Sequence, residues 1–214
     1  MNQRNGHSKL VNKVSKAKER NYCINKFSPK TLSLAHQEII QVTRQWLDQM
    51  VVGLNLCPFS HSVVAQGQVH YAVCDGIKDA QLKQFYVTQL QYLLETDENT
   101  IATSLLMFSQ GLEVFDDYLD VLDWFQQLLE EADLTDHIQL ASFHPQYQFE
   151  GVDFDDLSHF TNRAPYPTIH LIRQAQMTKA LAHVEDPEKI YADNIETLNK
   201  LGREKVESLC PWGK

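Results

Sequence analysis

Gly67-Gln-Val-His-Tyr-Ala-Val-Cys-Asp75 reads as a half-buried strand: Val69, Tyr71 and Val73 fall on one face, Gln68, His70 and Ala72 on the other, and Asp75-Gly76 ends it as a turn. Leu82, Phe85, Tyr86, Leu90, Leu93 and Leu94 then recur at helical spacing, and Thr100–Phe108 reads as a buried strand. A strand, one amphipathic helix and a second strand make a crossover unit, which joins strands running the same way. The pattern continues on the C-terminal side. Phe115, Tyr118, Leu119, Leu122, Phe125 and Leu129 form another helical stripe, and Ile138–Phe143 a third strand.

On the N-terminal side, Ile39, Val42, Trp46, Leu47 and Met50 predict a helix over about 34–51. Farther along, Tyr166–Ile172 fits either a fourth strand or the first turns of a helix at Gln174–Val184. The last helix carries its own punctuation: Asp186 as cap, Pro187 in the first turn, a stripe of Ile190, Tyr191, Ile195, Leu198 and Leu201, and Gly202 as the stop. The expected class is α/β, a mainly parallel sheet of three to four strands flanked by amphipathic helices with a long aromatic loop. An α+β sandwich is the alternative.

The chain has 214 residues, 43% of them apolar, and a formal charge of −9. Such a chain buries roughly 70% of its unfolded surface and folds without metal or disulfide staples. Charge is uneven: residues 1–30 hold eight Lys/Arg and one acid, a net +7 that leaves −16 for the rest. They are expected to form a basic, disordered arm ahead of one globular domain at 31–214. The arm reads first as a solubilising extension, with weak polyanion contact or targeting as alternatives. With an acidic body, no run of ~18 apolar residues and no apolar h-region before a cleavage site, the expectation is a cytoplasmic protein with no membrane and no specific nucleic-acid partner. The oligomeric state stays open.

Cys23, Cys57, Cys74 and Cys210 contain no Cys-x-x-Cys and are expected as reduced thiols. Cys57 lies in Gly53-Leu-Asn-Leu-Cys-Pro-Phe59, where the proline places it on a bend; thiol reactivity there would need a nearby cation, imidazole or helix N-terminus, and only His61 is close in sequence. Otherwise it is a small buried hydrophobe.

The stretch from Phe143 to Thr168 is longer than an ordinary loop and carries Phe143, Tyr147, Phe149, Phe154, Phe160 and Tyr166, which would fasten it to the body. Asp75, Gln110 and His144 follow the ends of the first three strands and should share the carboxyl rim, where α/β proteins place ligands. His144 is therefore the candidate general base, and Arg163 the candidate clamp for an anionic ligand. A strand-capping histidine and an arginine paired with loop aspartates are the plainer alternatives. Cys57, His61, His144, Asp153, Asp155, His159 and His170 offer metal-ligand chemistry but no recognised zinc spacing. No dinucleotide or phosphate-loop fingerprint is present, and no cofactor or metal is expected.

Taken together, Val52-Gly-Leu-Asn-Leu-Cys-Pro-Phe59, Ala141-Ser-Phe-His-Pro-Gln-Tyr-Gln-Phe149 and Thr161-Asn-Arg-Ala-Pro-Tyr-Pro-Thr-Ile-His170 resemble the signature runs of an uncharacterised, mainly bacterial family, domain of unknown function 1415. The resemblance covers about residues 35–205 and singles out Cys57, His144, Asn162, Arg163 and His170. Ala164 stands where the family pattern has Ser. The resemblance implies no activity. Two readings follow: a small enzyme in which His144, with or without Cys57, does the chemistry while Arg163, Asn162 and His170 bind an anionic substrate, and a non-catalytic binding or interaction protein using the aromatic loop 143–168.

Overall fold

The computed structural model describes residues 32–182, 184, 186–210 and 212, so the basic arm at 1–30 lies outside the described residues. Helix α1 spans Leu34–Trp46; Ser33 caps it by accepting the His36 N–H at 3.1 Å, and Ile39, Ile40, Thr43 and Trp46 form its buried stripe. It widens into a π-turn at Leu47–Val52 that buries Leu47 and Met50. Then come α2 (Ser60–Ala65), β1 (Val69–Cys74), α3 (Asp79–Glu95), β2 (Thr103–Phe108), α4 (Phe115–Glu131) and β3 (Ile138–Phe143). A 3-10 turn at Leu157–Thr161 precedes β4 (Thr168–Arg173), α5 (Gln174–Leu181), α6 (Glu188–Leu201) and α7 (Arg203–Leu209). Tyr166–Ile172 is thus resolved mainly as strand.

The four strands lie in the order β1-β2-β4-β3. β1 and β2 are parallel, but β4 runs antiparallel to both β2 and β3, so the mainly parallel sheet expected from the sequence is corrected to a mixed one. The cause is the connection after β3. It contains no crossover helix to carry the chain across the sheet, so the chain re-enters at the rim it left, with Phe143 paired to Thr168, and the next strand must run back.

Helices cover both faces. On one, α3 and α4 bury Leu82, Tyr86, Leu93, Tyr118 and Phe125 against Leu106, Phe108, Ile169 and Leu171. On the other, Trp46, Met50, Leu198 and Val206 meet Leu105 and Met107. β1, β2 and β3 share one direction, so Cys74, Phe108 and Phe143 end on a common rim, and the loop from 144 to 167 lies there with the start of β4.

Candidate functional site

His144 is fully buried where β3 ends. Its backbone N–H donates to the Asn162 carbonyl at 3.1 Å, and its own carbonyl accepts the Ala164 N–H at 3.4 Å. In the ring, Nδ1 accepts the Gln146 N–H at 3.0 Å, which places the proton on Nε2, where it is donated to the Leu112 carbonyl at 3.0 Å. The rings of Phe115 and Tyr118 flank it at 5.1 and 5.2 Å. Burial lowers its pKa from the ordinary histidine value. A general base needs a free lone pair within reach of its substrate. Here that lone pair is occupied by the protein's own backbone, and the imidazole works as a neutral fastening.

His159 repeats the device. It too is fully buried; Nδ1 accepts the Phe149 N–H at 3.1 Å and Nε2 donates to the Asp153 carbonyl at 2.8 Å. Reading the sequence placed it only among metal-ligand types; nothing in spacing alone reveals a side chain that closes a ten-residue loop onto backbone. Asn162 donates from Nδ2 to the Ser142 carbonyl at 3.1 Å, tying the loop back to β3. Arg163, 9% exposed, lies with its guanidinium 4.4 Å above the Phe160 ring and donates from Nε to the Tyr147 carbonyl at 3.3 Å. Burial lowers its pKa and the Arg203 charge works the same way, while Cys210 and Glu207 work against them. His144 and Asn162 are therefore brought together through their backbones, with Arg163 next in the chain, and their side chains bond backbone of the loop, of β3 and of Leu112.

Cys57 and His170 do not join them. The Cys57 thiol is half-buried beside the amides of Phe59 and Ser60, and burial raises its pKa, the direction opposite to activation. The run around it is shaped by tight packing: a Cβ on Gly53 would sit 2.5 Å from the Gln49 carbonyl oxygen, Asn55 has φ +55°, and the Leu56 carbonyl accepts Asn194 Nδ2 from α6 at 2.8 Å. His170 lies in the register row of Leu105 and Ala141, on the sheet face that α1 covers. Its Nε2 is 2.5 Å from Thr103 Oγ1, whose own proton goes to the Leu171 carbonyl at 2.7 Å, so His170 is the donor. Burial pushes its pKa down to about 4.

The rim holds a second cluster. Asp75 accepts Ser109 Oγ on Oδ1 at 2.6 Å and meets His36 Nε2 with Oδ2 at 2.6 Å, while Gln110 donates to the Asp75 carbonyl at 2.8 Å. The Ser109 hydrogen bond, with His36, holds the Asp75 carboxyl below its usual range. Asp75 and Gln110 were legible as rim residues. His36 and Ser109 were not, because they arrive from α1 and the end of β2 through tertiary packing.

Beside the loop, aromatic rings reach the surface. Tyr147 packs against Phe115 at 5.2 Å and edge-on against Phe149 at 5.0 Å; Phe149 meets Tyr191 of α6 at 6.0 Å and 82°. Tyr191 is 48% and Phe154 72% exposed, and the carboxylates of Glu150, Asp153, Asp155 and Asp156 are exposed along the same loop. Arg203 reaches in, but to the Asp155 carbonyl. Among the described residues no group of three His, Cys, Asp or Glu could hold a metal ion, and no helix is long and apolar enough to cross a membrane.

No curated protein and no solved structure matches the chain. Its family is nevertheless shown, because the match runs through residues 38–208, most of its length and all three signature runs. The chain belongs to the family described as "Protein of unknown function (DUF1415)".

Proposed function

We propose that the protein is a non-catalytic interaction module that receives a cationic segment of a partner on the aromatic, acidic surface of the loop 143–168. The observation that carries this reading is the run of ring contacts from the half-buried Tyr147 and Phe149 to the exposed Tyr191, in a loop that also carries the exposed carboxylates of Glu150, Asp153 and Asp155. Ring faces and carboxylates both attract ammonium and guanidinium groups. The polar side chains His144, His159 and Asn162 bond backbone groups of the loop and of the segments it leaves, and Arg163 Nε bonds the Tyr147 carbonyl, which supports a shaped recognition surface over an open reaction centre. The anionic ligand expected at Arg163 loses support on the same ground. The free thiols Cys57, Cys74 and Cys210 agree with a cytoplasmic location.

The test is binding of two labelled peptides of equal length to the full chain, one rich in Lys and Arg, one rich in Glu. The expected result is salt-sensitive binding of the basic peptide alone, weakened at least tenfold by a Phe149→Ser, Tyr191→Ser double variant. Equal binding of both peptides, or no effect of the variant, overturns the reading.

A second reading rests on the 2.6 Å contact between His36 and Asp75. With Nε2 bonded to the carboxylate, Nδ1 of a neutral His36 is an acceptor, which is the arrangement of an acid–base pair at the carboxyl rim. The two readings separate in a His36→Gln variant: peptide binding survives it, whereas proton transfer at the rim does not.

A further inference from the structure

We infer that His144 and His159 form a proton-operated clasp on the aromatic surface, closed while both rings are neutral and opened when they take up protons. The functional consequence rests on the binding reading above; the clasp itself rests only on geometry. Each ring offers Nδ1 as acceptor to a backbone N–H, His144 to Gln146 at 3.0 Å and His159 to Phe149 at 3.1 Å. These two amides bracket Tyr147 and Phe149, the half-buried rings that lead to the exposed Tyr191. A protonated imidazole has no acceptor. Its new N–H would point at another N–H at hydrogen-bonding distance, with a positive charge in a site that is fully buried. The contact reverses from attraction to repulsion, and the cheapest relief is separation of the segment 146–149 from its two anchors.

The surroundings set how readily this happens. Around His144, Phe115 and Tyr118 of α4 bring no charge, Leu112 brings a carbonyl, and the Glu113 carboxylate favours protonation. Around His159 are the Asp153 carbonyl and the Asp156 carboxylate within the loop. From α6 comes Tyr191, packed on Phe149; from α7 come Arg203, which reaches the Asp155 carbonyl, and Glu207, which faces Arg163. At His144 the Glu113 carboxylate favours proton entry while burial, the larger effect, opposes it. The sheet has no such inverted contact at its centre: Leu105 and Leu106 pair through β2 with strands on both sides.

The clasp is tested by amide hydrogen exchange of the full chain between pH 7.5 and 4.5, corrected for the intrinsic pH dependence of exchange. Protection at Gln146 and Phe149 is expected to fall at least tenfold relative to Leu105 and Leu106. His144→Asn and His159→Asn put a non-titrating acceptor near the position of Nδ1; each is expected to remove the pH dependence at its own amide. Should either variant fail to fold, imidazole nitrogen NMR of the wild type decides: the rings are expected as neutral Nε2–H tautomers at pH 7.5 that titrate in step with release of the two amides. Protection that stays constant, that is lost together with β2, or that remains pH-dependent in the folded variants overturns the inference. No peptide enters these measurements, so a failed clasp leaves the binding reading standing, and failed peptide binding leaves the clasp.

Discussion

The hydroxyl of Tyr118, fully buried on α4, donates to the Thr168 carbonyl at 2.9 Å at the point where β3 gives way to β4. The same oxygen accepts the Phe143 N–H at 3.2 Å, so one phenol satisfies two backbone groups where the loop leaves and rejoins the sheet. Tyr118→Phe removes both bonds while Phe143 and Thr168 keep their pairing across the β3–β4 ladder, and is expected to cost about 1–2 kcal/mol. Tyr86 provides the contrast. Its hydroxyl is buried without a hydrogen-bond partner among the described residues while its ring stacks on Phe125 at 4.1 Å. Tyr86→Phe is therefore expected to be neutral, or stabilising by up to about 1 kcal/mol. Urea unfolding of the two variants side by side reads the difference.

Gly53 follows the π-turn, and any Cβ there meets two backbone oxygens, Gln49 at 2.5 Å and Asp48 at 2.9 Å. Backbone cannot swing aside as a side-chain tip does. Gly53→Ala is expected to lose about 2 kcal/mol or more through overpacking, outweighing the smaller gain that alanine brings to a helical position. The denaturation midpoint checks it.

Acid weakens this fold before its carboxylates titrate. The folded-state pKa of His170 is depressed to about 4, and those of His70 and His144 are lowered as well. A lowered histidine pKa means that the unfolded chain binds more protons; the stability is intact above about 6.5 and declines as pH falls toward 4. His170→Gln is expected to flatten part of that slope. Unfolding free energies at pH 7.5, 6 and 5 would show it, and an unchanged slope would contradict the assignment. Asp75 and Asp156, with lowered pKa values, add their loss only in stronger acid.

Cys57 is expected to label slowly with a thiol reagent at pH 8, with the same profile in wild type and His144→Asn, because burial raises its pKa by more than the Phe59 and Ser60 donors lower it. A fast, histidine-dependent reaction would restore thiol chemistry to consideration.

The five longer helices and three strands could be read from the sequence because their signals are local, whereas the short α2 and α7 could not. The 3.6-residue stripe of Ile39, Trp46 and Met50 and the alternation of Val69, Tyr71 and Val73 exist before any tertiary contact. The direction of β4 is not local. Thr168-Ile-His-Leu-Ile-Arg173 looks the same whichever way it runs, and its orientation follows from a loop that stays on one rim. The candidate residues divide likewise. His144, Asn162 and Arg163 stood out in one long loop and do converge there, but whether a polar side chain meets ligand or backbone depends on atoms ten to twenty residues away. His159, His36 and Ser109 acquire their partners only on folding, and no spacing rule reaches across such gaps.

Because β4 sits between β2 and β3, a growing polypeptide holds two strands with unmatched edges until the segment that separates them emerges. The local β1-α3-β2 unit can assemble early, whereas β3 must wait for a strand made after it. Assembly of the sheet therefore ends near its middle, and a translation arrest between residues 143 and 168 would leave sticky edges for chaperones to shield.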